Sequence, residues 1–142
     1  MELEVPDVSM MAVPNAIAGF IASGDEYLLE GIFSEQAVTI VENFAPYLFE
    51  GADAVVRWKE GMRAHAEHLE DLHPKFGDPQ DFSVTGDQAF FTLPTSWRGL
   101  VHGTPFFEEG GWAFLLVREE GNWRLRSYGW AVTHMALLQE AE

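Results

Sequence analysis

Apolar residues recur at every second position through much of the second half of the chain, most clearly in Gly110–Trp130, GGWAFLLVREEGNWRLRSYGW. Trp112, Phe114 and Leu116 alternate with Ala113, Leu115 and Val117, and a period of two in large apolar residues predicts a strand. Both registers are apolar, so both faces of that strand are expected to be buried. Gly121 and Asn122 tolerate positive φ and place a tight turn after it. On the returning strand Trp123, Leu125, Ser127 and Gly129 fall on one face. Arg124, Arg126, Tyr128 and Trp130 fall on the other. An arginine-aromatic face suits a subunit interface. It also suits a sheet surface on which guanidinium groups stack on rings. The interface is the preferred reading, because the neighbouring strand is apolar on both sides.

The first half carries a helical period instead. Residues 1–12, with Pro6 and several acidic side chains, read as a loose arm. Pro14 opens a helix with Ile17, Phe20 and Ile21 on one face, and Gly24 ends it. Asp25 caps a second, short helix that buries Tyr27 or Leu28, Leu29, and then Ile32 and Phe33. Ala37–Asn43, AVTIVEN, is a short strand. It turns through Phe44, Ala45 and Pro46 into a second one over Tyr47, Leu48 and Phe49. Asp53 suits a helix N-terminus. The long helix that follows has an apolar stripe of Val55, Trp58, Met62, Ala66 and Leu69, and it frays near Asp71 to Pro74. From Phe76 onward the pattern is β, with Phe82 and Val84 on one strand. Gln88 to Arg98 forms a long strand with a bulge expected at Pro94. Thr104 to Glu108 follows, with a kink at Gly110–Gly111. Helices set apart from an antiparallel meander define an α+β fold in a single domain, residues 1–142.

Composition narrows the functions. A chain of 142 residues, 47% hydrophobic, builds one full core. The net charge of −15 repels nucleic acid and anionic membranes, so neither is an expected partner. The acidic start MELEVPDVSMM is unlike a signal peptide, and no apolar run is as long as a membrane span, so a soluble, cytoplasmic protein is expected. The absence of cysteine excludes disulfides, thiolate catalysis and Cys-ligated zinc.

Candidate chemistry is sparse. Glu42 and Asn43 end the first short strand, near Tyr47 and Trp58. A carboxylate there can act as a general base with a raised pKa, or it can be a solvated strand-end residue paired with an arginine. His65 and His68 are three apart on the long helix, and His73 follows, but they lack the H-E-x-x-H spacing of a zinc helix. They read as surface histidines, and no metal is assigned. His102 sits in a glycine-flanked turn. His134 on the last strand is the better acid–base candidate of the two, because imidazole titrates near neutrality. Trp58, Trp97 and Trp112 suit a pocket wall as well as a core. No phosphate loop, Ser-His-Asp order or paired-carboxylate signature is visible, and no cofactor is expected.

The motifs Gly24-Asp25, AVTIVEN, GADAVVRW, VTGDQAFF and REEGNWRL, spread over Ile17 to His134, together resemble the NTF2-like superfamily and in particular its SnoaL-like (polyketide cyclase and ketosteroid isomerase-like) bacterial members. The resemblance implies a curved antiparallel sheet wrapped around a long helix as a cone. It also implies two N-terminal helices, a small apolar ligand in the open end, and dimerisation through the outer sheet face at Arg124, Arg126, Tyr128 and Trp130. Of the catalytic positions of ketosteroid isomerase only Glu42 carries over, with a one-residue shift, because Ile17 and Phe114 or Leu115 occupy the other places. His102 and His134 are the counterparts on offer for a dehydratase-like histidine pair. The expected protein binds a small apolar molecule, walled by Asn43, Tyr47, Trp58, Trp97 and Trp112. Glu42 or His134 serves isomerase, lyase or hydrolase chemistry. The alternative is a non-catalytic dimeric ligand-binding or protein-interaction module.

Overall fold

In the computed structural model residues 5–138 are described. The sequence reading of a loose arm through residue 12 gives way to a helix, α1 (Val8–Ser23), that starts well before Pro14. Asp7 caps it, its Oδ1 accepting from the Met10 backbone N–H at 2.9 Å, and an Asp N-cap is strong enough to set a helix start on its own. Pro14 is a buried interior residue of α1. Gly24 ends the helix in the left-handed conformation, as expected. The second helix shrinks to a single 3-10 turn, Glu26–Leu29, in which Leu29 is buried and Asp25 caps the Tyr27 N–H.

The strands are β1 (Thr39–Val41), β2 (Leu48–Phe49), β3 (Leu69–Phe76), β4 (Gln80–Thr85), β5 (Gln88–Val101), β6 (Thr104–Glu119) and β7 (Asn122–Leu137). Between β2 and β3 lies α2 (Ala54–His65). It stops earlier than its apolar stripe implies, and at 12 residues it is shorter than α1, with 16. Leu69 belongs to β3, where the sequence pattern suggested only a frayed helix end. All strands join one seven-stranded sheet in the order β2-β1-β7-β6-β5-β3, with β4 also pairing on β5. The β1–β7 pairing is parallel and the others are antiparallel. Strands β3 and β4 share one edge of β5 end to end. No helix among the described residues is long and apolar enough to cross a membrane.

Curvature comes from bulges. The register shifts between Glu70 and His73, and between Gln80 and Ser83. Asp71 and Asp81 sit there with φ of 51° and 54°, a conformation that short acidic side chains tolerate better than most. Two more shifts lie in the β6–β7 ladder, at Glu109/Gly110 and Leu115/Leu116. The expected bulge at Pro94 is absent. Pro94 pairs in register with Gly111, and its carbonyl accepts from the Gly77 N–H at 2.7 Å. Its donorless nitrogen faces the same side, into the gap between β3 and β4, where no strand needs a proton from it.

The concave face holds the core. Ile17 and Phe20 of α1, Trp58 of α2, and Ile40, Phe91, Leu93, Phe114, Leu116, Leu125 and Tyr128 of the sheet are almost fully enclosed. The outer face of β6 is not. Ala113 is exposed and Leu115 and Val117 are half-buried, so only one face of that strand is covered within the chain.

Candidate functional site

Alternation along β1 turns Ile40 inward and Val41 outward, so the next residue, Glu42, points into the cone and is 5% exposed. Its backbone N–H donates to the Tyr47 carbonyl at 2.9 Å and fixes it at the β1–β2 turn. Trp58 Nε1–H donates to Glu42 Oε2 at 2.9 Å. The Tyr128 hydroxyl donates to the same oxygen. Both anchors converge on Oε2, and Oε1 has no protein donor among the described residues. Burial pushes the Glu42 carboxyl above the usual glutamate range; the Trp58 and Tyr128 hydrogen bonds pull it back, and the nearby Glu108 carboxylate adds to the rise. Tyr128 is pushed well above the ordinary phenol range, by its own burial first and then by Glu42, so it stays a donor.

Glu42 lines a cavity of about 290 Å³ in the mouth of the cone, near the low end of small-molecule sites. Its apolar wall includes Phe44, Met62, Leu69, Leu72, Trp97, Phe106, Trp112 and Trp130. The polar lining is Glu42, Asn43, Glu108, His65, His68 and His102. Burial raises Glu108 as well, with no hydrogen bond or cation offsetting it among the described residues. His65 stacks on Phe44 at 4.4 Å between ring centres, and burial lowers its pKa. His68 and His102 stack on each other at 4.4 Å. The indole Nε1 of Trp112 is enclosed and has no hydrogen-bond partner. No group of three or more ligating side chains among the described residues could hold a metal ion.

Of the expected residues, Glu42, Asn43, Trp97 and Trp112 meet at this cavity. Trp58 lies behind the wall, fully buried, and acts on the site through its hydrogen bond to Glu42. Tyr47 is 58% exposed at positive φ and is outside the lining. His134 is also outside it. It is exposed on β7, opposite Glu109 and 6.3 Å from Phe107. Met135, the next residue, takes the inward place.

The four residues assigned to an outer interface do not share a face. The shift at Leu115/Leu116 makes Arg126 the extra residue on β7, so the inward positions pass from Leu125 to Tyr128 and Trp130. Tyr128 stacks on Trp112 in the core, and Trp130 lines the cavity. Arg124 is buried against Glu35 at 3.0 Å and Glu119 at 3.7 Å. Arg126 reaches Thr39.

Glu108 was missed, although its signal was present. It occupies an inward position of β6 in line with Phe106, Trp112, Phe114 and Leu116. A lone carboxylate among large apolar residues at period two marks a buried ionisable group. The three cavity histidines come from α2, the turn after it and the β5–β6 turn, segments that only the fold brings together.

No family model matches the sequence, and no curated protein matches it. Solved structures do. A hexachlorocyclohexane dehydrochlorinase, LinA-type3 from Novosphingobium barchaimii LL02, superposes with a TM-score of 0.78 at 9% identity, over 92% of this chain and 88% of that one. A scytalone dehydratase-like protein from Novosphingobium aromaticivorans DSM 12444 gives 0.71 at 11% identity, covering 94% and 90%. A ketosteroid isomerase-like protein from Shewanella frigidimarina NCIMB 400 gives 0.68 at 16% identity, covering 88% and 96%. The chain shares the fold of these proteins, the NTF2-like fold that its motifs resemble.

Proposed function

We propose that the protein binds a small, mostly apolar molecule in the cone and moves a proton on it, with Glu42 as the general base. The observation that carries this reading is the divided Glu42 carboxyl: Oε2 is held by Trp58 and Tyr128, and Oε1 is left free in an apolar cavity. Burial raises the basicity of the carboxylate, and the two anchors fix its aim. Oε1 takes a proton from an acidic carbon or hydroxyl of the bound molecule and returns it to a neighbouring atom or a leaving group. That step is common to isomerases and lyases. The dehydrochlorinase, dehydratase and isomerase names of the structural neighbours support the class and leave the substrate open. The test is proton exchange in deuterium oxide on small cyclic ketones, both neutral and amine-bearing, followed by mass. Exchange above the buffer rate is expected for at least one of them, lost in Glu42→Gln. A panel that shows neither binding nor exchange would count against the reading.

A second feature concerns assembly. The uncovered outer row Ala113, Leu115 and Val117 suits a homodimer through the outer sheet face, now without Tyr128 and Trp130. Sedimentation at micromolar concentration is expected to give a dimer, and Leu115→Lys a monomer. A monomeric parent protein would end this part of the proposal.

A further inference from the structure

The cavity has a charge character that acid–base work at Glu42 does not require. Its lining holds two carboxylates and three imidazoles but no lysine or arginine. Glu42 is committed to Trp58 and Tyr128. Glu108 is committed to nothing: no hydrogen bond or cation offsets its burial among the described residues. Its cross-strand neighbours are Trp97 on β5 and Met135 on β7, and both line the same space. The one arginine close by on β5, Arg98, turns to the outer face and lies over Phe107 at 4.6 Å. The chain therefore leaves a half-buried carboxylate among aromatic rings without supplying its counter-charge.

Resting on the reading of this cavity as a ligand site, we propose that its ligand is a small apolar amine. Its ammonium group sits between Glu108 and the faces of Trp97 and Phe106. An ammonium beside a desolvated carboxylate and aromatic faces gains from both ion pairing and cation–π attraction, and both strengthen as water is excluded. The net charge of −15 favours the approach of a cation. The other ionisable groups that line the cavity with Glu108 are Glu42 from the end of β1, His65 from α2, His68 from the turn after it and His102 from the β5–β6 turn. None of them carries a fixed positive charge.

Two probes of matched shape test the idea, trimethyl(4-hydroxyphenyl)ammonium and 4-tert-butylphenol, which differ in the charge at one quaternary centre. Their affinities would be measured by calorimetry at physiological ionic strength, where the long-range field of the protein is screened. The cation is expected to bind roughly tenfold or more tighter than the phenol. Glu108→Gln removes most of that preference and leaves the phenol's affinity within about twofold. The outward neighbour variant Glu109→Gln keeps the preference, which separates local recognition from net charge. Equal or tighter binding of the phenol to the parent protein overturns the amine assignment and leaves the cavity reading standing. An unchanged preference in Glu108→Gln also overturns it. Binding of neither probe overturns both.

Discussion

Glu42→Gln lowers proton-exchange turnover by about 100- to 10,000-fold, the usual worth of a positioned general base, and leaves the fold intact. The isostere makes the two effects separable. A glutamine amide oxygen still accepts from the Trp58 N–H and the Tyr128 hydroxyl, so the polar cluster behind the cavity stays paired. The amide cannot take a proton at the free position. The loss is expected in turnover, with little change in the affinity of a bound ketone, because the apolar wall and Glu108 are untouched. Circular dichroism and a melting curve close to those of the parent would accompany it. A fall of less than about tenfold would remove Glu42 from the chemistry and leave the cavity as a binding site.

Trp58→Ala costs about 3–5 kcal/mol of stability, measured as the midpoint shift in urea. Trp58 is fully buried. Its ring packs against Phe20 at 5.4 Å, Phe33 at 5.7 Å and Tyr128 at 6.2 Å between centres. It therefore ties α2 to α1 and to the sheet. Truncation opens a void among three rings and strips one donor from a buried carboxylate. Trp58→Phe divides the effect. It keeps most of the volume, loses the N–H, and is expected to cost about 1–3 kcal/mol. A loss below about 1 kcal/mol for the alanine variant would mean that the three rings close over the gap and that Trp58 does not brace the cone.

Much of the fold follows from patterns visible in the sequence, and the failures have physical causes. The hairpin of β6 and β7 is legible because its large residues alternate. Its turn falls one residue earlier than glycine and asparagine suggest: Glu119 pairs with Asn122, and Glu120 and Gly121 take the positive φ values. Strand β3 was hidden by His73-Pro74 and by Asp71, whose left-handed backbone belongs to a bulge that no propensity reports. The outer-interface assignment failed at a single residue. Strict alternation puts Arg124, Arg126, Tyr128 and Trp130 on one face, and the bulge at Arg126 reverses the parity after it. His134 is exposed for the same kind of reason: Thr133 is an extra residue on β7, and Met135, not His134, lies opposite Glu108. The inward place of Glu42 was legible because it follows Ile40 by two on a short strand, so local alternation was enough. Its anchors were not legible as a set. Trp58 and Tyr128 lie 16 and 86 residues away.

The central claim is that a protonatable carboxyl is held in the cone with one oxygen tied and one free. Carboxyl-carbon NMR of glutamate-labelled protein, titrated with pH and assigned by the loss of one resonance in Glu42→Gln, tests it most directly. The account predicts that Glu42 titrates above the ordinary glutamate value of about 4.3, and that its midpoint falls when Glu108→Gln removes the neighbouring charge. A Glu42 midpoint at or below the ordinary value would show a solvated or ion-paired carboxylate and would contradict the account.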